Sequence, residues 1–289
     1  MTPEELRANC IEEGRSLQWM LAVLSQEEVL VRLSRSPLGD SAIIKGSYVI
    51  QSLCETKSTT LPSLELALCT GEALSLREEL MDAGEELISL KDISLVEEES
   101  DHERKEALYV VKSIYKGIPA SFYLKVIYYD TGESLGRSLF GVSSMPEKKP
   151  LPRLSGGNEP IPLLYMCPEG IFVERYLEAS RRGELVDSMM TWYDMFYIST
   201  AMCLDGHRMG GILETLSREE ISESLERFKG SKSLGDRWRA FAREYKVPLK
   251  GFPDLAEYLS SIMEPVTEAL KRGEEFFGEW MPELCRYID

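Results

Sequence analysis

The sequence predicts an α/β protein of the α+β kind, in which a mixed sheet with flanking helices precedes a helical C-terminal domain. Between residues 42 and 129, strand-like apolar runs alternate with helix and turn signals. From Pro168 onward, apolar residues recur at three- and four-residue spacing, which is typical of helices. We therefore expect two domains, residues 1–160 and residues 161–289, with the boundary near the Gly-, Ser- and Pro-rich stretch 131–162.

Residues 3–35 predict two helices that lead into the sheet. Thr2 supplies a cap residue, and Pro3 occupies the first helical position. Ser25-Gln26-Glu27-Glu28 is close to a capping box, so we expect the second helix to begin there.

Residues 41–70 predict a strand, a tight turn, a helix and a second strand, and the rest of the chain is organised around them. Residues 42–44 form a short apolar run, and Lys45-Gly46-Ser47 follows where the backbone is free to turn tightly. In residues 64–68, leucines alternate with Glu65 and Ala67, which is the period of a strand. The Glu65 carboxylate is therefore expected to point away from the apolar face.

A hairpin is expected to extend the sheet. Residues 107–115 and 120–129 are rich in β-branched and aromatic residues, with Gly117-Ile118-Pro119 between them. The strand 120–129 contains no acid, so it offers no carboxylate to a metal. Residues 97–106 are mostly charged, and we expect an exposed loop or hairpin tip there.

The composition narrows the function classes. The formal net charge of −16 disfavours broad, nonspecific binding to nucleic acids. No apolar run reaches the ~20 residues of a membrane span, and the N-terminus lacks a signal-peptide pattern. We therefore expect a cytoplasmic protein with no membrane partner. Six scattered cysteines and two histidines predict reduced thiols and no zinc site.

One segment is basic, although the chain as a whole is acidic. Residues 229–250 contain seven basic and two acidic residues, a net charge of +5, with Trp238, Phe241 and Tyr245 interleaved. Two interpretations stay open. The segment is an amphipathic helix whose aromatic residues lie in the core, or it is a face that contacts RNA.

The order of elements in residues 41–70 has a chemical interpretation. A Gly-Ser turn that opens a helix offers backbone N–H groups to a phosphate, and carboxylates on a neighbouring strand can hold Mg²⁺ against it. The pattern resembles the signature of polymerase-β-like nucleotidyltransferases, a Gly-Gly or Gly-Ser turn followed by Asp-x-Asp. It is most similar to the AbiEii group of type IV toxin–antitoxin proteins, in which K-G-G-T-A-L precedes D-I-D-L. Lys45-Gly46-Ser47 and Ser63-Leu64-Glu65-Leu66 fall in register, so Ser63 stands at the first Asp and Glu65 at the second.

Two later stretches carry the same resemblance. The stretch up to Leu177 is similar to the family's P-L-E-E-I-I-A-E-K-L, in which a lysine that helps to bind phosphate corresponds to Arg175. Residues 189–198 are similar to R-x-K-D-F-Y-D-L-Y-L-L, with Asp194 in register and Thr191 at the position of a catalytic Asp. From the residues alone, Arg175 is a surface or ion-paired helix residue. For Asp194, a structural role as a cap or an ion-pair partner and a role in the site stay equally open.

The resemblance implies a nucleotidyltransferase that moves a nucleotide from Mg²⁺–NTP to a tRNA or protein acceptor. Glu65 would hold the metal and Arg175 would steady charge in catalysis, with Asp194 a further site residue. The nucleotide-binding residues implied are Lys45, Gly46, Ser47, Ser63 and Arg175.

Ser63, Thr191 and the single carboxylate of Glu65 favour a second function, a catalytically inactive descendant with a degenerate active site that binds a nucleotide or a partner. The toxin–antitoxin resemblance also implies an antitoxin as a partner. A third interpretation, an interaction protein that binds no nucleotide, stays open. Another acid, such as Asp130 or Asp194, is a candidate replacement for a missing metal ligand.

Overall fold

The computed structural model describes residues 2–54, 58, 60–68, 76–82, 86–100, 104–129, 148–156, 159–185, 189–216, 224–248 and 251–288. Asp130 and residues 131–147 of the Gly-, Ser- and Pro-rich stretch lie outside these ranges. The described residues divide into two compact units. The first contains the described residues within ranges 2–53, 61–129 and 148–166, and the second contains residues 54, 58 and 60 and the described residues within range 167–288.

A seven-stranded mixed sheet forms the centre of the first unit. Its spatial order is β3-β4-β5-β2-β1-β7-β6. The pairs β1–β7 and β2–β5 are parallel, and the other neighbours are antiparallel. The sheet confirms the predicted fold class. Its strands are β1 (Ala42–Lys45), β2 (Leu64–Leu68), β3 (Ser89–Ser100), β4 (Arg104–Tyr115), β5 (Ile118–Tyr129), β6 (Lys149–Leu151) and β7 (Ile161–Tyr165).

Helices α1 (Pro3–Glu12), α2 (Leu17–Arg35), α3 (Ser47–Leu53) and α4 (Leu76–Asp82) belong to the same unit. The prediction that the second helix begins at Ser25 is wrong, because α2 begins at Leu17 after the cap residue Ser16. Ser25 lies inside α2, where its hydroxyl bonds to the Leu21 carbonyl oxygen at 2.7 Å and to the Ser113 hydroxyl at 2.6 Å. These partners satisfy a polar side chain that the sequence pattern assigns to a helix end.

Buried polar residues of α2 anchor two loops of the first unit. The Glu28 carboxylate is fully buried, accepts a hydrogen bond from the Leu87 backbone N–H at 2.7 Å, and pairs with Arg32 at 2.6 Å. The Gln26 amide donates to the Pro62 carbonyl oxygen at 2.7 Å. Helix α2 therefore fixes the segment immediately before Ser63.

The acidic run 97–106 is not a loop over its described part. Strand β3 continues to Ser100, and β4 begins at Arg104, with Glu99 opposite Glu106. Lys105 pairs with Glu98 at 2.8 Å across the two strands. Residues 101–103 of the expected loop or hairpin tip lie outside the described ranges.

The second unit is mainly helical. Its helices are α5 (Pro168–Arg182), α6 (Met190–Ala201), α7 (Gly206–Leu216), α8 (Lys232–Glu244) and α9 (Phe252–Lys271). The expectation of helices alone after Pro168 misses a small antiparallel sheet of β8 (Leu204–Asp205), β9 (Glu279–Met281) and β10 (Arg286–Ile288). The buried Trp280 fixes this sheet, because its indole N–H donates to the Ser199 carbonyl oxygen at 2.9 Å. Among the described residues, no helix combines the length and apolarity needed to cross a membrane.

Candidate functional site

The turn between β1 and α3 depends on glycine. Gly46 has a φ of +89°, a left-handed conformation that other residues adopt at a cost. A Cβ atom at this position would lie 2.7 Å from the Ser63 carbonyl oxygen and 3.2 Å from the Glu65 Cγ. Glycine therefore permits both the turn and the close approach of the segment that carries Ser63 and Glu65.

Ser63 closes this turn with hydrogen bonds. The Ser47 backbone N–H donates to Ser63 Oγ at 3.1 Å, and the Tyr48 backbone N–H donates to the Ser63 carbonyl oxygen at 3.0 Å. In return, the Ser63 backbone N–H donates to Ser47 Oγ at 2.8 Å. Two of the N–H groups that the sequence offers to a phosphate are thus bonded to Ser63. A phosphate at this turn has to compete with Ser63.

Lys45 and Glu65 lie directly opposite each other on β1 and β2. Directly opposed residues of an antiparallel pair project from the same face of the sheet, and these side chains are only 3% and 6% exposed. Lys125 follows on β5 in register with Glu65 and pairs with Glu106 at 2.8 Å. The face therefore carries a row of alternating charge across three strands.

Within the described ranges, this donor set supplies a single carboxylate, which is too few for a two-metal site. No group of three or more His, Cys, Asp or Glu residues there is placed to hold a metal ion. Mg²⁺ sites of nucleotide-transferring enzymes use one or two carboxylates together with substrate phosphates, and two-metal sites need more. Glu65 supplies one carboxylate, and Asp130 lies outside the described residues.

A buried carboxylate that no sequence motif indicates as a site residue, Glu27 of α2, contacts α3. Glu27 accepts hydrogen bonds from the Ser155 backbone N–H at 2.8 Å and from the Tyr48 hydroxyl at 3.3 Å. Burial raises the pKa of Glu27, although the hydrogen bonds from Ser155 oppose that rise. Burial likewise raises the pKa of the Tyr48 phenol well above its usual value. The only sequence pattern that includes Glu27 is the near capping box at Ser25, and that pattern indicates a helix start instead of a buried contact.

In the second unit, Arg175 joins α5 to α6. Its Nε donates to Asp194 Oδ2 at 3.3 Å, and its Nη1 donates to Glu178 Oε2 at 3.4 Å. The Arg175 side chain is 13% exposed and the Asp194 side chain 3%. The geometry matches the interpretation of both residues as an ion pair.

Glu178 is a second carboxylate that the sequence analysis missed. Besides Arg175, it accepts a hydrogen bond from Thr191 Oγ1 at 3.3 Å. Its position three residues after Arg175 is the spacing at which helix residues meet, and that spacing was the available signal. The candidate residues thus fall into two groups: Lys45, Gly46, Ser47, Ser63 and Glu65 in the first unit, and Arg175 and Asp194 in the second.

Comparisons with known proteins identify two structures whose fold is similar to that of this chain. No protein-family model and no curated protein matches the chain. A crystal structure described as a "putative nucleotidyltransferase from H. pylori" is similar over 87% of this chain and 96% of that chain, with a TM-score of 0.50 and 11% identity. The crystal structure of JHP933 from Helicobacter pylori is similar over 89% and 95%, with a TM-score of 0.50 and 12% identity.

At these identities the likeness concerns the fold. The chain has a nucleotidyltransferase-like fold. The likeness does not show membership of a superfamily or of the AbiEii group.

Proposed function

We propose that this chain is an AbiEii-like protein of the nucleotidyltransferase fold that binds a nucleotide without a metal ion and does not transfer it. The observation that supports this function best is the closed Gly-Ser turn. Ser63, which stands at the first Asp of the family motif, bonds to the backbone of Ser47 and Tyr48. A neutral hydroxyl in that role stabilises the turn and brings no charge for a metal.

The arrangement around Arg175 supports the same proposal. Arg175 lies within 3.4 Å of two carboxylates, Asp194 and Glu178, so its charge is already balanced. A triphosphate on this guanidinium would also face those carboxylates, which weakens its attraction. Thr191, at the position of a catalytic Asp in the resemblance, contributes a hydroxyl to Glu178.

The remaining cation of the first group explains why nucleotide binding is still expected. Lys45 is buried at the end of β1, next to the turn formed by Gly46 and Ser47. A phosphate that displaces Ser63 from the Ser47 N–H gains that donor and the positive charge of Lys45, which the opposed Glu65 carboxylate partly offsets. We therefore expect weak binding of nucleoside triphosphates, because the Ser63 bonds have to be broken first.

Thermal unfolding with each NTP, with and without Mg²⁺ or Mn²⁺, tests the proposal. A ligand that binds only the folded state raises the unfolding free energy by ~2.7 kcal/mol at a hundredfold excess over Kd. We expect an NTP-dependent rise that is the same with and without metal, that persists in Glu65→Gln and that is lost in Lys45→Met. The absence of any rise would overturn nucleotide binding.

A second candidate function is nucleotidyl transfer from Mg²⁺–NTP to an RNA or protein acceptor. The retained turn at Gly46 and the opposed pair Lys45 and Glu65 favour it. Its signature is a stabilisation that requires metal and disappears in Glu65→Gln. Labelled NTP should then be incorporated into tRNA or protein.

The resemblance to toxin–antitoxin proteins adds one expectation to this second candidate. Expression of the chain alone should arrest growth, an antitoxin should relieve the arrest, and Glu65→Gln should abolish it. Normal growth during expression would support the inactive protein.

A further inference from the structure

The exposed face of α8 carries a stripe of basic side chains. Lys232, Arg239 and Arg243 are exposed on α8, and the exposed Lys246 follows the end of the helix. We call these four residues the basic stripe. With 3.6 residues per turn, the first three point within about 20° of a common direction and span about 16 Å along the helix axis.

The aromatic residues of this segment lie on the opposite side. Trp238 is fully buried, and its ring stacks on Phe241 at 5.7 Å. Phe241 in turn packs against Tyr193 of α6 at 5.5 Å and Tyr245 at 4.6 Å. The first interpretation from sequence therefore holds for the aromatic residues, which belong to the helix-packing face. Stacking of nucleic-acid bases on these rings therefore does not explain why the opposite face of α8 is basic.

Helix stability explains only part of the basic stripe, since Arg243 lies in the last turn of α8, where the helix dipole favours a cation. Lys232 is the first residue of α8, where the helix dipole disfavours a cation, and the first turn contains no acid. Arg239 pairs with Asp236 at 3.0 Å. Within the described residues, Lys232, Arg243 and Lys246 form no ion pair, so at least three cations of the stripe face solvent.

The surroundings of the stripe indicate the chemistry of its partner. Among the described residues, no large hydrophobic side chain is exposed between residues 232 and 246. A protein interface generally has an apolar centre, and a membrane-surface helix needs exposed apolar residues. A row of cations without either suits a regular line of phosphates. One strand of a duplex places about five phosphates along 16 Å.

We propose that the basic stripe of α8 binds the phosphodiester backbone of a nucleic acid. Residues 229–250 carry a net charge of +5 in a chain of −16, so the rest of the chain carries −21. That acidic remainder repels nucleic acid and confines contact to the stripe. The proposal is independent of nucleotide binding at Lys45 and Gly46.

Fluorescence anisotropy with labelled 20-nucleotide RNA and DNA, single-stranded and duplex, tests this proposal between about 25 and 200 mM KCl. The test variant is Arg239→Glu with Arg243→Glu. The matched control is Lys271→Glu with Arg272→Glu, which reverses two exposed cations at the end of α9 in the same unit. NTP-dependent thermal unfolding of both variants measures the nucleotide site separately.

We expect the full-length chain to bind at low salt and the test variant to bind at least about tenfold more weakly, with the control within about threefold. For single strands, the slope of log K against log[KCl] should become shallower by ~1.4, because each lost phosphate contact removes about 0.7 from that slope. The RNA and DNA arms identify the source of the backbone. No binding at the lowest salt, equal losses in both variants, or equal affinity for polyglutamate would overturn the proposal.

Discussion

Ser47 and Ser63 exchange hydrogen bonds across the turn that opens α3. The Ser63 backbone N–H donates to Ser47 Oγ at 2.8 Å, and the Ser47 backbone N–H donates to Ser63 Oγ at 3.1 Å. Each side chain thus caps the backbone of the other, which joins the start of α3 to the segment before β2. The pair uses a donor that an anion-binding turn would leave open, so it links the stability of the fold to the function of the site.

Ser63→Ala tests what this exchange contributes to stability. The substitution removes the acceptor of the Ser47 N–H, and we expect the free energy of unfolding to fall by about 1–2 kcal/mol. Urea denaturation measures the change. The control Ser261→Ala, at an exposed helix hydroxyl that bonds to Tyr258, should stay within about 0.5 kcal/mol. Equal losses in the two variants would show that the Ser47–Ser63 bond carries no stability.

Gly46→Ala tests the close approach at the same turn. Gly117 provides a matched control, because its φ of +88° is nearly that of Gly46 and an added Cβ would meet nothing within 4 Å. Backbone strain of about 1–2 kcal/mol is common to both substitutions. We expect Gly46→Ala to lose at least about 1 kcal/mol more in urea denaturation, because its Cβ would lie 2.7 Å from the Ser63 carbonyl oxygen. Similar losses would contradict this steric explanation.

Local patterns in the sequence were sufficient for much of the sheet. The apolar run at β1, the alternation in β2 and the turn at Gly117 each depend on neighbours in sequence, and the structure has all three elements. The start of α2 follows a local cap, since Ser16 Oγ accepts a hydrogen bond from the Trp19 N–H, but the placement of Ser25 and Glu28 inside α2 depends on distant partners. Ser25 meets Ser113 and Glu28 meets Leu87, contacts that span more than 50 residues. A capping signal cannot reveal such partners.

The candidate site likewise combines features that the local sequence predicts with features that depend on distant contacts. The Gly-Ser turn and the opposed position of Glu65 follow from local order and strand period. That Ser63 occupies the N–H groups of the turn depends on the pairing of β1 with β2, which places residues 16 positions apart in contact. The contact of Glu178 with Thr191 depends likewise on how α5 packs against α6.

The buried Glu27 predicts a pH dependence of stability. Burial raises its folded-state pKa above the usual 4.5, so the folded protein retains a proton that the unfolded chain releases above about pH 4.5. The stabilising contribution is complete below that pH and is lost as the pH rises through the folded-state pKa. We expect the unfolding free energy of the natural chain, relative to Glu27→Gln, to fall as the pH rises above about 4.5, by at most ~1.4 kcal/mol per pH unit. A difference in unfolding free energy between the two proteins that does not change with pH in urea denaturation would contradict it.

Arg175→Met separates a structural role of Arg175 from a role in binding. The substitution removes a cation from Asp194, whose side chain is 3% exposed, and from Glu178. Breaking a buried ion pair costs about 3–5 kcal/mol, and we expect about 2–3 kcal/mol here because Glu178 is partly exposed. Arg182→Met is the control, since Arg182 is 51% exposed and lies 3.9 Å from Glu178, and it should cost under about 1 kcal/mol.

Nucleotide titration of the same two variants completes the comparison. If Arg175 serves only to join α5 to α6, the NTP-dependent rise in stability should persist in Arg175→Met, measured at a temperature where that variant is folded. Loss of the NTP response in Arg175→Met but not in Arg182→Met would instead place Arg175 on the phosphates. That result would favour the transferase over the inactive protein. Moving the Arg175 guanidinium away from two carboxylates is unfavourable, so a bound triphosphate would have to supply a stronger attraction.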